Sequence, residues 1–279
     1  MGLIGGSVAL ALKKAGNAPH IMGVGRNVES LNEALTLGVI DAMETNIHAA
    51  LEHADLVLIA APVAQTAVIL SSIKPHLNSQ TIVTDAGSTK KDVLACAKEI
   101  LGNQFSQFVG GHPIAGAEKS GVSAANEDLF AGKNVVLTPA PETNIHAVAG
   151  VAKLWKTFGA NVSEMSAETH DSIFAAVSHL PHLLAFALVD EIASRPNAAQ
   201  LFSFAASGFR DFTRIAGSHP EMWRDISLAN KAALLSEITA YQDELEHLKK
   251  LLEHSDGAGL QALFERASIA RNAWAESKK

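Results

Sequence analysis

A doubly wound parallel α/β sheet followed by an all-α region is the fold class this sequence predicts, on three observations. Short β-rich runs alternate with helical stretches through the first half of the chain. Several of those runs are continuously apolar, as in Leu56-Val57-Leu58-Ile59-Ala60, the pattern of parallel strands buried on both faces. Strand signals then stop after Met165. The predicted division is therefore a sheet domain over 1–165 and a helical domain over 166–279.

In chain order, strands are expected at 20–24, 56–60, 81–85, 107–110, 134–138 and 161–165. Helices are expected at 6–15, 64–76, 90–101 and 145–158, where apolar residues recur at helical spacing. A long helical pattern over 167–193 contains Pro181, which should kink or divide it. A second long helix is expected over 226–254. Within it Ile238, Tyr241, Leu245, Leu248 and Leu252 are spaced three, four, three, four. Such a seam can pack a helix of the same chain or of a second subunit.

The 279 residues suffice for two domains, each with its own core. A formal charge of −7 supplies no basic surface for nucleic acid. It leaves room for a small anionic substrate held by a local group of arginines. The single cysteine, Cys96, excludes an internal disulfide and a multi-cysteine zinc site. No apolar run of membrane-spanning length and no signal segment is apparent, so no membrane partner is expected and the expected compartment is the cytoplasm.

The chain opens Met1-Gly2-Leu3-Ile4-Gly5-Gly6-Ser7 ahead of an apolar helix. This matches the later part of G-x-G-x-x-G, with Gly2 as the second glycine and Gly5 as the third. The second glycine admits a pyrophosphate, the third lets helix pack on sheet, and the helix N-terminus presents free N–H groups. Gly2, Leu3, Ile4 and Gly5 are thus candidate contacts of NAD or NADP in a Rossmann-type domain. The first glycine and the strand before it do not occur ahead of Met1. An uncovered apolar slot is the expected result, and the true start is read as lying upstream, with a truncated chain as the alternative. Arg26, after the second strand, suits the 2′-phosphate of NADP or stacking on adenine, a lean toward NADP that leaves NAD open. Pro62 follows the next strand, at the edge where ligands bind in such sheets; a plain turn proline is the alternative.

Asp85-Ala86-Gly87-Ser88-Thr89-Lys90 lacks the spacing of a phosphate loop. Without further information Ser88 is read as the N-cap of the following helix. Gly110-Gly111-His112-Pro113 places a histidine between residues that make tight turns and a fixed φ, which would aim its ring into a cleft. A neutral imidazole there can accept a hydroxyl proton. His179 and His182 straddle Pro181, yet no further ligands stand at zinc spacing, and no metal is expected. Arg210 and Arg214 would share one helical face and could grip carboxylates; solvated surface arginines are the plain alternative.

Six motifs in order make a specific resemblance. They are Gly2-Leu3-Ile4-Gly5-Gly6-Ser7, Thr84-Asp85-Ala86-Gly87-Ser88-Thr89-Lys90, Gly111-His112-Pro113-Ile114-Ala115-Gly116, Ser178-His179-Leu180-Pro181-His182, Gly208-Phe209-Arg210-Asp211-Phe212-Thr213-Arg214 and Met222-Trp223-Arg224-Asp225-Ile226. Together they resemble the prephenate/arogenate (cyclohexadienyl) dehydrogenase family over nearly the whole chain. The resemblance implies NAD(P)-dependent oxidative decarboxylation in tyrosine biosynthesis, a dicarboxylate substrate, and a homodimer formed through the helical domain. It makes His112 the acceptor for the substrate hydroxyl and Ser88 the residue that orients this histidine and contacts substrate or nicotinamide. It makes Arg214, helped by Arg210, a carboxylate site, and gives His182 a substrate contact supported by His179 and Ser178. Glu118 and Asp211 match polar positions at the pocket mouth, where a surface salt bridge is the alternative. Trp223 is expected to be a core or interface anchor.

Two other readings differ in class. A different two-domain hydroxyacid dehydrogenase would carry a lysine acid/base on the helical domain, and none occurs over 175–188. A non-catalytic dinucleotide-binding sensor would not need Ser88, His112 and Arg214 together.

Overall fold

The computed structural model describes residues 1–16, 19–116, 119 and 121–277. They form two compact units, Met1–Lys231 and Ala232–Lys279. The first holds all the strands: β1 Met22–Val24, β2 Ala42–Glu44, β3 Leu56–Ile59, β4 Ile82–Asp85, β5 Phe108–Pro113, β6 Asn134–Thr138 and β7 Asn161–Glu164. β3 to β7 make one five-stranded sheet in the order β3-β4-β5-β6-β7, and β1-β2 make a separate pair. All pairings are parallel except β5 with β6. Among the described residues no strand bonds the outer edge of β3, where the apolar slot was expected. Leu56, Val57 and Leu58 are only half-buried there.

Helices cover both faces of the larger sheet. On one side α1 (Leu3–Lys14) and α6 (Ile145–Thr157) pack Val8, Ala11, Val151 and Trp155 against Val109, Val135 and Leu137. On the other, α4 (Thr66–Ile73) and α5 (Lys91–Leu101) pack Leu70, Ile73, Val93 and Ala97 against Ile59, Val83 and Phe108. Side chains alternate between the two cores along each strand, as the pleat requires. Local chemistry sets the helix starts. Asn27 accepts from Ser30 N ahead of α2 (Val28–Thr36), and Asn144 accepts from His146 N ahead of α6. β2 and α2 escape a reading of apolar runs, because Ala42-Met43-Glu44 is short and half polar. The short α3 spans Ile47–Leu51.

β5 is longer than expected and runs through His112. It pairs with β4 at Phe108 and Val109, then with β6 from Gly110 to Pro113. Gly110 and Gly111 are therefore strand residues, which corrects the tight turns expected around His112. A Cβ on Gly111 would lie 2.7 Å from the Asp85 carbonyl oxygen, so close approach of two strands demands glycine there.

After β7 the first unit continues as helices: α7 (Ala167–Phe174), α8 (Leu180–Ala193), α9 (Ala198–Ser203), α10 (Ser207–Thr213) and α11 (Pro220–Ala229). Pro181 does not divide 167–193. A π turn over Ala175–His179, in which Leu180 N–H donates to Ala175 O, carries α7 into α8 without a break. Proline cannot donate the ordinary i→i−4 bond, and a wide turn just ahead of it lets the helix continue. By length and composition this Ala167–Ala193 helix could cross a membrane, with a hydropathy of 1.7, contrary to the expectation that no such run exists. The 226–254 stretch does break. α11 ends at Ala229, and the buried Asn230 separates it from α12 (Lys231–Glu253).

The second unit consists of α12 from Ala232 onward and α13, at Gly257–Glu276, which is capped by Asp256. In the expected seam Tyr241, Leu245 and Leu252 are exposed, while Ile238 and Leu248 are half-buried.

The inner end of β4 is held by a fully buried ion pair between Lys90 and Asp85. Lys90 Nζ also donates to Gly111 O at 2.8 Å, and Asp85 accepts from Gly111 N at 2.9 Å and Gly87 N at 2.8 Å. Lys90→Met would strand a buried carboxylate and should cost about 3–5 kcal/mol. Adding Asp85→Asn should recover part of that loss, with urea unfolding of the single and double variants as the measurement. A single variant within 1 kcal/mol of the parent, roughly, would contradict this role.

Candidate active site

His112 rises from β5 opposite Val136, between the buried Gly111 and Pro113, and is itself half-buried. Its Nδ1 lies 2.8 Å from Nε2 of the buried His170. The Phe174 ring stands edge-on to it at 4.9 Å. Burial drives the His112 pKa well below 6.5, with smaller contributions from His170, Lys90 and His179. The ring is therefore a neutral base at physiological pH, the state a proton acceptor requires.

His170 lies on α7 and its Nδ1 is 2.7 Å from Asp171 Oδ1. Asp171 in turn accepts from Lys90 N at 2.8 Å and Lys91 N at 2.9 Å. A carboxylate of α7 thereby caps α5, and the N-cap residue of α5 is Lys90, with no side-chain cap of its own. This corrects the reading of Ser88 as that cap. Ser88 stands half-buried in the loop after β4, two residues before Lys90. Sequence reasoning passed over His170 and Asp171 altogether. The available signal was a His-Asp pair four and three residues before Phe174, on one face of an apolar helix.

The π turn and α8 carry the other histidines. His179 is buried, and Asn230 Nδ2 donates to its Nδ1 at 3.1 Å and to Asp171 O at 2.8 Å. Burial lowers its pKa to about 4. His182 is half-buried, donates from Nδ1 to Ser178 O at 2.8 Å and stacks on Trp223 at 3.6 Å. Its pKa is lowered by burial foremost and also by Arg214, so that guanidinium is its electrostatic neighbour. Trp223 is thus a buried anchor that backs His182. Arg214 and Arg210 do not share one helix. Arg210 is exposed on α10, whereas Arg214 opens a 3₁₀ turn, Arg214–Gly217, that packs against α8. Asp211 is exposed on α10, and Glu118 lies outside the described residues. No cluster of potential metal ligands occurs among the described residues.

The nucleotide candidates converge on the carboxyl ends of the parallel strands. Gly2 is the extended N-cap of α1, makes no side-chain cap, and has open space where a Cβ would stand. Leu3, Ile4 and Gly5 follow with the unpaired N–H groups of a helix start. A Cβ on Gly5 would lie 3.3 Å from Ala60 Cβ, so that glycine lets α1 sit against β3. A pyrophosphate fits this cradle, which offers donors, a favourable dipole and no side chain in the way. Arg26 is exposed just beyond β1, and Pro62 is exposed just beyond β3, before the turn on which α11 packs.

A glycine-paved helix start at the strand ends, with a neutral histidine on the same sheet, defines the chain's class as an NAD(P)-dependent dehydrogenase. The family profile described as "Prephenate dehydrogenase, nucleotide-binding domain" matches residues 8–164, and "Prephenate dehydrogenase, dimerization domain" matches 166–266. The prephenate dehydrogenase of Bacillus subtilis is 40% identical over 98% of this chain and 74% of its own length. The cyclohexadienyl dehydrogenase of Zymomonas mobilis is 33% identical, covering 97% and 92%. The structure of A. aeolicus prephenate dehydrogenase in complex with hydroxyphenyl propionate and NAD+ superposes with a TM-score of 0.92 at 40% identity, covering 98% and 95%. The chain belongs to the prephenate dehydrogenase family.

His170 and His179 are buried, and both have pKa values below the ordinary 6.5. The unfolded chain therefore takes up their protons first as pH falls. Their contribution to stability is whole above pH 6.5 and declines below it, by at most about 1.4 kcal/mol per pH unit for each group. Urea unfolding midpoints should fall between pH 6.5 and 5, and a flat profile there would mean these rings are not held neutral.

Proposed function

We propose that this chain is a prephenate dehydrogenase, converting prephenate to 4-hydroxyphenylpyruvate and CO2, with His112 as its base. One observation carries the reading: Nδ1 of the strand-borne His112 is committed to His170, leaving Nε2 as the nitrogen available to a substrate hydroxyl. Arogenate, which has an amine in place of the side-chain keto group, is the second substrate to test. It is favoured by the 28% identity and TM-score of 0.83 to Synechocystis arogenate dehydrogenase.

Bound NAD(P)+ supplies the hydride acceptor. His112 Nε2 takes the hydroxyl proton as hydride leaves the carbinol carbon. The bond to the ring carboxylate then breaks, CO2 departs, and its electron pair makes the ring aromatic. The proton returns from His112 to the phenolate oxygen, so the step releases no net proton. Aromatisation drives the reaction, and the protein's task is chiefly to orient the ring. Ser88, in the loop after β4, orients the reacting hydroxyl. Arg214 and its neighbour His182 receive a carboxylate, His179 and Ser178 hold His182, and Arg210 assists from α10.

Residues 1–165 form the nucleotide part and 166–279 the part that binds substrate and a second copy of the chain. A homodimer is supported by the dimerization-domain match and by exposed Tyr241, Leu245, Leu252, Phe264, Ile269 and Trp274 on α12 and α13. Arg26 supports use of NADP beside NAD. A biosynthetic enzyme of this kind would work in the cytoplasm.

Steady-state kinetics with prephenate and arogenate, each with NAD and NADP, is the direct test; no turnover of either substrate would end the proposal. His112→Asn should lower kcat about 10²–10⁴-fold and spare cofactor binding. Near-parental turnover would remove it as the base. Arg214→Ala should act mainly on KM, raising it on the order of tenfold or more, as expected for loss of a charged contact.

A further inference from the structure

The structure assigns His170 and Asp171 as positioning residues that fix the tautomer of His112. The inference rests on the proposed role of His112 as base and adds the device that makes its Nε2 basic. The geometry runs from an ionised carboxylate outward. Asp171 sits at the start of α5, where the amides of Lys90 and Lys91 donate to its two oxygens. Burial opposes its charge, but the His170 ring and those amides outweigh burial and hold the carboxyl below its ordinary range.

An ionised carboxylate only accepts, so His170 Nδ1, 2.7 Å away, carries a proton and donates it. The neutral His170 then has a bare Nε2. That nitrogen lies 2.8 Å from His112 Nδ1, and two bare nitrogens cannot hydrogen-bond, so His112 carries its proton on Nδ1. The lone pair of His112 is thereby forced onto Nε2. When His112 takes up the substrate proton, its charge is shared along the same line toward Asp171. The relay differs from a serine-protease triad in having a second imidazole between carboxylate and base.

The groups facing this line are consistent with it. Lys90 and His179 act on His112, and Lys90 and Asp85 act on His170. Asp92, in the first turn of α5, is the other acid beside Asp171; burial foremost, with Asp171 adding to it, raises its pKa. Burial pushes both imidazoles below their ordinary pKa, so both rest neutral, as the tautomer argument requires.

Three variants separate orientation from space filling. In Asp171→Asn an NH2 at the Oδ1 place, which faces both His170 Nδ1 and Lys90 N, reverses every donor along the line, whereas an NH2 at the Oδ2 place opposes Lys91 N. Either way the negative charge that holds the His170 proton is gone. The variant should lower kcat by about 10²–10⁴-fold, the scale seen when a triad carboxylate becomes an amide, with KM for prephenate and NAD affinity within about twofold because the carboxylate is buried behind His170. His170→Gln keeps the polarity, accepting from His112 through oxygen and donating to Asp171 through nitrogen, and should stay within about tenfold of the parent. His170→Phe fills the volume without an acceptor and should be as impaired as Asp171→Asn. A merely structural role predicts the opposite order, with Phe tolerated and Gln no better.

Histidine ¹⁵N NMR of the unaltered protein gives a reading that needs no variant and no turnover. It should find His112 protonated on Nδ1 and bare on Nε2. Protonation on Nε2, or equal activity of the Gln and Phe variants, would overturn the relay. Normal prephenate turnover with an Nε2-protonated His112 would sink the relay alone. Absence of turnover in the unaltered protein would instead sink the dehydrogenase reading, and the tautomer would still decide the relay.

Discussion

The buried Lys90–Asp85 ion pair is the constraint on which the rest of the site depends. Both side chains are out of water and paired with each other, and their remaining hydrogen-bonding capacity is met by the Gly87 and Gly111 backbone. This draws β5 so close to β4 that residue 111 has no room for a side chain. The strand must then deliver residue 112 at one height and one angle. The same lysine's backbone amide helps hold Asp171, so one short loop ties the sheet to α7. Residues 85–91 therefore link the sheet and α7 through polar contacts, beside the buried Phe174 ring that stands against His112.

The helical region answers with a second layer of buried polar contacts. Asn230, at the break between α11 and α12, donates to Asp171 O and to His179, binding α11, α7 and the π turn together. The π turn itself lies between the two regular parts of one long helix. Wide turns of this kind occur preferentially at working sites, because they redirect carbonyls and side chains without ending the helix. Here Ser178 O receives the His182 ring proton, and that ring lies flat against Trp223.

Much of this was legible in the residues. Continuous apolar runs such as Leu56–Ala60 marked the inner strands, since strands buried on both faces cannot carry polar alternation, while the half-polar β7 was read from the alternation of strand and helix. The glycine pattern announced α1, which begins three residues ahead of the expected Gly6, and the six motifs singled out His112, His182 and Arg214. What escaped notice had physical reasons. Ala42-Met43-Glu44 is too short and too polar to look like a strand. Pro181 reads locally as a helix breaker, and only tertiary packing sustains the π turn that accommodates it. The glycines beside His112 read as a turn, because close approach of another strand leaves no trace in local sequence. Lys90 read as an ordinary helix start, although its charge is buried. The His170-Asp171 pair carried no flag because its partner, His112, lies far away in the chain.

A base mounted on a sheet differs from one mounted on a flexible loop in when its disorder is removed. His112 is flanked by a glycine wedged against β4 and a proline, and its ring is tethered at one nitrogen. The entropy lost in immobilising it is therefore settled during folding. A ligand that meets this ring need not surrender affinity to freeze it. Rigid, planar mimics of the aromatic product should gain most from such a partner, whereas compounds that depend on an adaptable pocket wall would find it only among the helices.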